Sequence, residues 1–282
     1  MAKRKRGFTD NKYEKWLKEG RGQGEKSTYK PWLTIQDVSS MGNVTRVYSH
    51  KTGRQHEFLS NNELYYFYLL EFADSVIDIR EQYPLLYRED TLAIAKEIGI
   101  KHPSDISSKD YIVMTTDFLV TEQFSDKNLF KARTVKGRDE LENKRVIEKF
   151  EIERLFWCKK GVDWGIVTGE EINKPLAMNL EYLRGFHNID NHTGISDISE
   201  RNRLFLLSKL QDILVTNLGQ KLREILFDFD RNMNLEIGTS ITMFNYLLYT
   251  KKIKMDLNHK INLECYEPIE KVNTIEMQVK SG

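Results

Sequence analysis

Residues 111–120, Tyr-Ile-Val-Met-Thr-Thr-Asp-Phe-Leu-Val, run almost unbroken in apolar character, with one carboxylate, Asp117, inside them. A short continuous apolar run of this kind reads as a strand covered on both faces. A charge within it costs free energy unless it meets a partner or an ion. The flanking segments then narrow the fold. Residues 75–82 read as a strand stopped by Pro84, and residues 129–135 as another strand that ends at Lys136-Gly137. A long helix is expected over 139–159, with Val146, Phe150, Leu155 and Phe156 as its apolar positions, followed by a short strand over 164–167. Upstream, the alternation in 44–58, with Lys51-Thr52-Gly53 in its middle, predicts a β-hairpin. Ser60-Asn-Asn-Glu63 is a capping box, and it opens a helix to about residue 72. Mixed strands with helices between them predict an α/β layer fold.

Residues 1–30 are polar and glycine-rich and are expected as a flexible arm with one short helix around 12–18. The stretch Gly20-Arg-Gly-Gln-Gly-Glu-Lys-Ser27 is not a phosphate-binding loop: no Gly precedes the Lys-Ser pair and no buried strand leads into it. Residues 86–109 are expected as a long insertion. The character changes after residue 169, which divides the chain into 1–169 and 170–282. The second part predicts helices over 172–186, 201–215, 221–229 and 241–249, the last capped by Ser240. Short strands over 253–257 and 261–266, joined at Asn258-His259, complete a winged-helix-like pattern.

The length, 282 residues, suits one large domain or two medium ones. The net charge is only +1, so bulk charge neither demands nor forbids a nucleic-acid partner. The concentrated basic segment is Lys3-Arg4-Lys5-Arg6, either a solubilising tail or a phosphate-binding arm. The two cysteines, Cys158 and Cys265, have neither disulfide-framework nor zinc-ribbon spacing. No run of about 18 apolar residues occurs, so a soluble, cytoplasmic protein is expected, with no membrane partner.

Phosphodiester hydrolysis needs an activated water and stabilisation of a charge-rich transition state, and hard cations held by carboxylates supply both. Asp117 on one strand, with Thr134 and Lys136 two apart on the next, fits the nuclease arrangement written PD-(D/E)xK, and Glu63 would be its upstream helix acid. Each residue also has a plainer reading. The capping box accounts for Glu63, a turn cap for Asp117, and an exposed strand end for Lys136. The pattern departs from the motif at Thr116, where proline is usual, and at Thr134, where an acid is usual. Glu148, Glu151 and Glu153 follow on the long helix. Glu153 is the one whose register faces the site, and a solvated helix face is the alternative.

Several ordered blocks occur between residues 19 and 173. They are Glu19-Gly-Arg-Gly-Gln-Gly24, Pro31-Trp-Leu-Thr34, Tyr48-Ser-His-Lys-Thr-Gly-Arg54, Leu59-Ser60 with Glu63, and Asp78-Ile-Arg-Glu-Gln82 with Pro84. Gly99-Ile-Lys-His-Pro103, Thr116-Asp-Phe-Leu-Val120, Val135-Lys136 and the segment from Glu170 to Asn173 complete the series. In these blocks the chain resembles the TnsA endonuclease subunits of heteromeric bacterial transposases. Beyond them the likeness is one of length and helix-then-wing character. The resemblance implies a restriction-endonuclease-like catalytic domain followed by a winged-helix-like domain. It implies cleavage of the 5′ strands at transposon ends, in double-stranded DNA, beside a TnsB-like transposase of RNase-H fold that cuts and joins the 3′ ends. A TnsC-like AAA+ ATPase would dock on the C-terminal domain, and the localisation would be bacterial and nucleoid-associated.

By position, the resemblance makes Glu63 and Asp117 metal-binding carboxylates and Lys136 the catalytic lysine, with Mg²⁺ as the ion and Mn²⁺ as its substitute. Thr134 stands where the family has glutamine or an acid, so the ion would lean on the Val135 carbonyl and on water. Arg80 and His102 lie in matching blocks, to hold phosphate, to position carboxylates, or simply to pack. The segment 241–249 is too apolar for a phosphate surface, and its basic neighbours are Lys251, Lys252 and Lys254, so protein docking suits this region better. A stand-alone nuclease of the same fold, which the blocks around His50 and Gln82 disfavour, and a non-catalytic adaptor, which Thr134 favours, are the alternatives.

Overall fold

Thr9 starts the first helix by accepting a hydrogen bond from the Lys12 N–H, and α1 then runs over Asp10–Lys18. The computed structural model describes residues 8–38, 43–216 and 219–272. The basic run Lys3, Arg4, Lys5 and Arg6 lies outside them. From residue 8 onward, the stretch expected as a flexible arm is folded. Trp16 meets Trp32 edge-on at 5.2 Å and Phe8 at 5.8 Å, and Trp32 is fully buried. Aromatic burial of this size outweighs the entropy of a glycine-rich segment.

Strands β1 (Thr45–Ser49) and β2 (Arg54–Phe58) form the expected antiparallel hairpin, with Gly53 at φ +71° in its turn. Helix α2 (Asn61–Phe72) is capped by Ser60, whose hydroxyl accepts from the Glu63 N–H. Strand β3 (Val76–Pro84) ends at its proline. The segment expected as an insertion contains α3 (Arg88–Glu97), which packs Ile94 and Ala95 into the core. Strands β4 (Thr115–Phe124) and β5 (Lys127–Lys136) follow. The expected long helix is broken at Asn143. A short 3-10 turn, Arg138–Glu142, precedes α4 (Lys144–Lys159), and the Asn143 side chain caps the latter. Strand β6 (Asp163–Thr168) closes a sheet of order β3-β4-β5-β6. Its first two pairings are antiparallel and the last is parallel, as the α4 crossover requires.

The sheet is covered on both faces. Leu119 and Ala132 pack against Ile152, Phe156 and Trp157 of α4. Phe118 points the other way, toward Phe58 and Tyr66, at ring distances of 6.0 and 5.5 Å. The free edge of β3 is occupied by the N-terminal segment. The Trp32 N–H donates to the Gln82 carbonyl at 3.2 Å, and the Tyr29 hydroxyl donates to the Glu81 carbonyl at 3.0 Å. Gly22, at φ +75°, lies so close to Pro84 that an added Cβ would sit 2.2 Å from the ring.

The chain divides into two units, Met1–Ile172 and Asn173–Gly282. The second contains α5 (Lys174–Leu183), α6 (Glu200–Thr216), α7 (Leu222–Asn232) and α8 (Thr239–Tyr249). Short strands β7 (Ile253–Lys254) and β8 (Glu270–Lys271) pair antiparallel. The hairpin expected over 253–266 is not formed. Asn179 on α5 takes over its backbone: its amide donates to the carbonyls of Leu257 and His259 and accepts from the Ile261 N–H. Ser240 is inside α8 rather than at its cap. The N-cap is Gly238, and the Ser240 hydroxyl donates to the Leu226 carbonyl. Helix α8 is central to this unit, with Met243, Phe244, Leu247 and Leu248 all buried.

Candidate active site

Beyond the rung Phe118↔Arg133 the β4–β5 ladder stops. There the Asp117 carboxylate takes the Val135 N–H through Oδ2 at 2.8 Å. Its other oxygen, Oδ1, accepts from the Gln82 side-chain amide at 3.3 Å. The strand therefore half-buries Asp117, with both oxygens bonded. Burial pushes the carboxyl above its usual range, and Lys136, the Val135 N–H and the Gln82 amide only partly oppose this.

Glu63 reaches the same place from the first turn of α2. It is buried, its oxygens accept from the Leu59 N–H at 3.1 Å and the Ser60 hydroxyl at 2.9 Å, and its own N–H donates back to Ser60. Burial, and then repulsion from Asp117, pushes Glu63 up to about 7. Capping and a place beside Asp117 thus coexist in one residue. Lys136, half-buried at the end of β5, feels opposing effects. Burial would lower it, but the negative charges of Asp117, Glu140 and Glu63 prevail and hold the ammonium on. Its nearest ion pair is Glu140, at 3.8 Å, on the turn that follows.

Glu153 is buried, not part of a solvated helix face. One oxygen, Oε1, accepts from three side chains: the Thr134 hydroxyl, the Thr116 hydroxyl at 2.7 Å and the Trp164 indole N–H at 2.9 Å. Burial raises Glu153 to about 7, despite these donors. Its neighbours on α4 do face outward, Glu148 pairing with Arg145 and Glu151 with Arg154. Arg80 and His102 belong elsewhere. Arg80 donates to Thr121 at 2.9 Å and lies 3.4 Å from Asp78. His102 is bonded to Thr91 and to the Pro103 carbonyl, beside α3.

Three contributors to this region carry no signal of their own in the sequence. Gln82 bonds Asp117, and Trp164 bonds Glu153. Thr116, at the position where proline is usual, bridges Glu153 and the Trp157 N–H. Only the departure at Thr116 from the motif could have drawn notice.

Among the described residues, no three His, Cys, Asp or Glu side chains gather as a ready metal cage. The donor set is instead two carboxylates, and it suits a small hard cation that keeps several waters. A dication would offset both causes that raise Glu63, its burial and the nearby Asp117 charge. Among the described residues no helix is long and apolar enough to cross a membrane.

Comparison with known proteins finds relatives for both units of the chain. Residues 73–169 match the model of the TnsA-like endonuclease N-terminal domain, and residues 171–257 that of the TnsA endonuclease C-terminal domain. The transposition protein TnsA of transposon Tn7, from Escherichia coli, is 38% identical over 257 residues, covering 91% of this chain and 90% of that protein.

Proposed function

Because this chain belongs to the TnsA endonuclease family, we propose that it is the endonuclease subunit of a transposase and cuts the 5′, non-transferred strands at transposon ends with the help of Mg²⁺. The observation that carries this reading is the meeting of Glu63, Asp117 and Lys136 where β4 and β5 part. In this reading unit 1 is a restriction-endonuclease-like domain, and unit 2 a helical domain, with the short β7–β8 pair in place of the expected wing, that docks partners.

Glu63 and Asp117 would hold the ion, with the Val135 carbonyl and water completing its shell, and Mn²⁺ would substitute. The ion would supply Lewis-acid polarisation and a more acidic water. The protein's own residues do the rest. Lys136 stays protonated among carboxylates, so its ammonium is placed to orient the attacking water and to offset the charge that grows on the phosphate. Thr134 is a poor ligand, since it is neutral and buried; its O–H donates to Glu153. Glu153 acts from behind, fixing Thr134 and Thr116 on either side of the strand gap. Helix α8 is too buried to read a DNA groove, which supports partner docking as the role of unit 2. The partners would be a TnsB-like transposase of RNase-H fold and a TnsC-like AAA+ ATPase.

The test is reconstitution with those two partners and DNA carrying both ends. Wild type should release the element by double-strand cuts. Asp117→Ala should leave cleavage at the 3′ ends and lose at least about 100-fold at the 5′ ends, the scale of losing one transition-state contact. Intact 5′ cleavage in Asp117→Ala would place the active site elsewhere. A wild type that never cuts 5′ ends would make the chain an adaptor, the reading that the neutral Thr134 hydroxyl favours. Robust cutting of naked DNA by the chain alone would make it a stand-alone nuclease.

A further inference from the structure

Gln82 has a backbone φ of +46° in the middle of a strand. A residue with a Cβ rarely adopts this conformation, and where it does the surroundings hold it there. The cause lies in how both strands turn at one rung. Along β3, Arg80 lies over the Tyr83 ring at 5.4 Å, while Glu81 between them points to Arg54 and His56 on β2. Strict alternation would put residues 80 and 83 on opposite faces. Along β4 the same break occurs. Thr116 and Leu119 both meet α4, and Phe118 between them meets Phe58. The β3–β4 register runs through Glu81↔Phe118 and resumes at Tyr83↔Thr116, so the missing rung is Gln82 opposite Asp117.

Everything around Gln82 fixes its side chain. Its carbonyl Oε1 accepts from the Thr115 hydroxyl at 3.2 Å, which leaves the NH₂ group to face the Asp117 carboxylate. Its main-chain carbonyl is held by the Trp32 N–H. With Val135 N–H on Oδ2 and Gln82 on Oδ1, the carboxylate has a single orientation. We propose that Gln82 is a positioning residue: its left-handed backbone breaks the ladder and its amide aims the Asp117 carboxylate, with the N-terminal segment clamping it in place through Trp32. This rests on the reading of Asp117 as a metal ligand. Partners that orient a ligating carboxylate are worth about 10-fold to 100-fold in metal affinity.

The test is Mn²⁺ binding to the full chain, followed by the electron paramagnetic resonance of the free ion, with thermal melting to show folding. Gln82→Met keeps the length of the side chain and removes the amide. Gln82→Gly removes the amide but accepts the positive φ without strain. Both should bind Mn²⁺ at least about 10-fold more weakly while still melting cooperatively. A merely structural role predicts the opposite for the glycine variant, full affinity in a relaxed backbone. Binding within twofold of wild type in either folded variant overturns the inference, as does failure of Gln82→Gly to fold. If Gln82→Met alone misfolds, Gln82→Gly decides. Asp117→Asn separates the two readings. If it binds as wild type does, Asp117 is no ligand and both fail. If it loses binding while the Gln82 variants keep it, only the positioning role fails.

Discussion

Glu153 couples folding to pH in a direction that can be worked out. Its folded value of about 7 lies above the ordinary 4.5, because burial outweighs the bonds from Thr134, Trp164 and Thr116. Between those two values the folded chain binds a proton that the unfolded chain has lost. Stability from this group is therefore complete below 4.5 and falls as pH rises toward 7, by about 1.4 kcal/mol for each unit. Gln at this position keeps an acceptor for the three donors and carries no charge to bury. Glu153→Gln should melt several degrees above wild type at pH 8, a difference of roughly 2–3 kcal/mol, and match it near pH 5. Metal-free melts at the two pH values measure this, and equal shifts at both would mean that Glu153 is ionised throughout. Glu81 runs the other way. Burial would raise it, but His56 and Arg54 hold it down at about 2, so its contribution is present above 4.5 and is lost in acid. Much of this chemistry was legible in the sequence. An acid in an apolar run and a lysine at a strand end mark Asp117 and Lys136, and a capping box marks Glu63. Gln82 was not legible, because glutamine carries no signal for a left-handed backbone as glycine does. Nor was Trp164 as a donor to Glu153, since that contact depends on how α4 lies across the sheet.

Elements whose pattern is local came out as their periodicity predicts, within a few residues at the ends. Those set by distant contacts did not. The glycine-rich segment before Trp32 has no periodicity, yet it lies along the β3 edge because that edge offers carbonyls and Pro84 offers an apolar ledge for Gly22. The expected wing failed for a similar reason. Alternation over 253–266 is real, but a buried asparagine 74–87 positions upstream satisfies backbone groups a hairpin would have paired, and Leu257, Ile261 and Leu263 pack on the core from an irregular loop. Asn179 accordingly fastens residues 257–261, while the N–H groups of Leu222 and Arg223 hold the carbonyls of Cys265 and Leu263. Asn179→Ala strands two carbonyls and one N–H, and at about 1 kcal/mol net for each bond it should cost roughly 2–3 kcal/mol. Urea unfolding measures the loss. Limited proteolysis should show faster cleavage within 255–262, and an unchanged midpoint would mean that the other contacts hold the loop.

At the scale of the whole chain, the proposed function puts chemistry and docking in different units, and each unit has its own apolar core. Phe244 is the largest fully buried side chain of the second core, a cluster that also holds Leu210, Leu226 and Phe229. Its loss removes a ring from a well-packed interior, and Phe→Ala changes of this kind cost about 3–5 kcal/mol. For a unit whose whole stability is on the order of 5–15 kcal/mol, that is a large share. Whether it stays local follows from how the cores are divided. The Phe58–Phe118 stack and the packing of α4 on Leu119 involve unit 1 alone. Native-state hydrogen exchange on full-length Phe244→Ala should thus lose protection in α6, α7 and α8 by about 3–5 kcal/mol, with the amides of β4 and β5 unchanged. Mn²⁺ affinity should also persist, since the proposed ligands Glu63 and Asp117 lie on α2 and β4. Excision of the element in the reconstituted system should nevertheless collapse if, as proposed, unit 2 brings the nuclease domain to the ends. Protection lost equally in β4 and β5 would show that the chain unfolds as one block. Full excision with unit 2 destabilised would move the docking surface to unit 1.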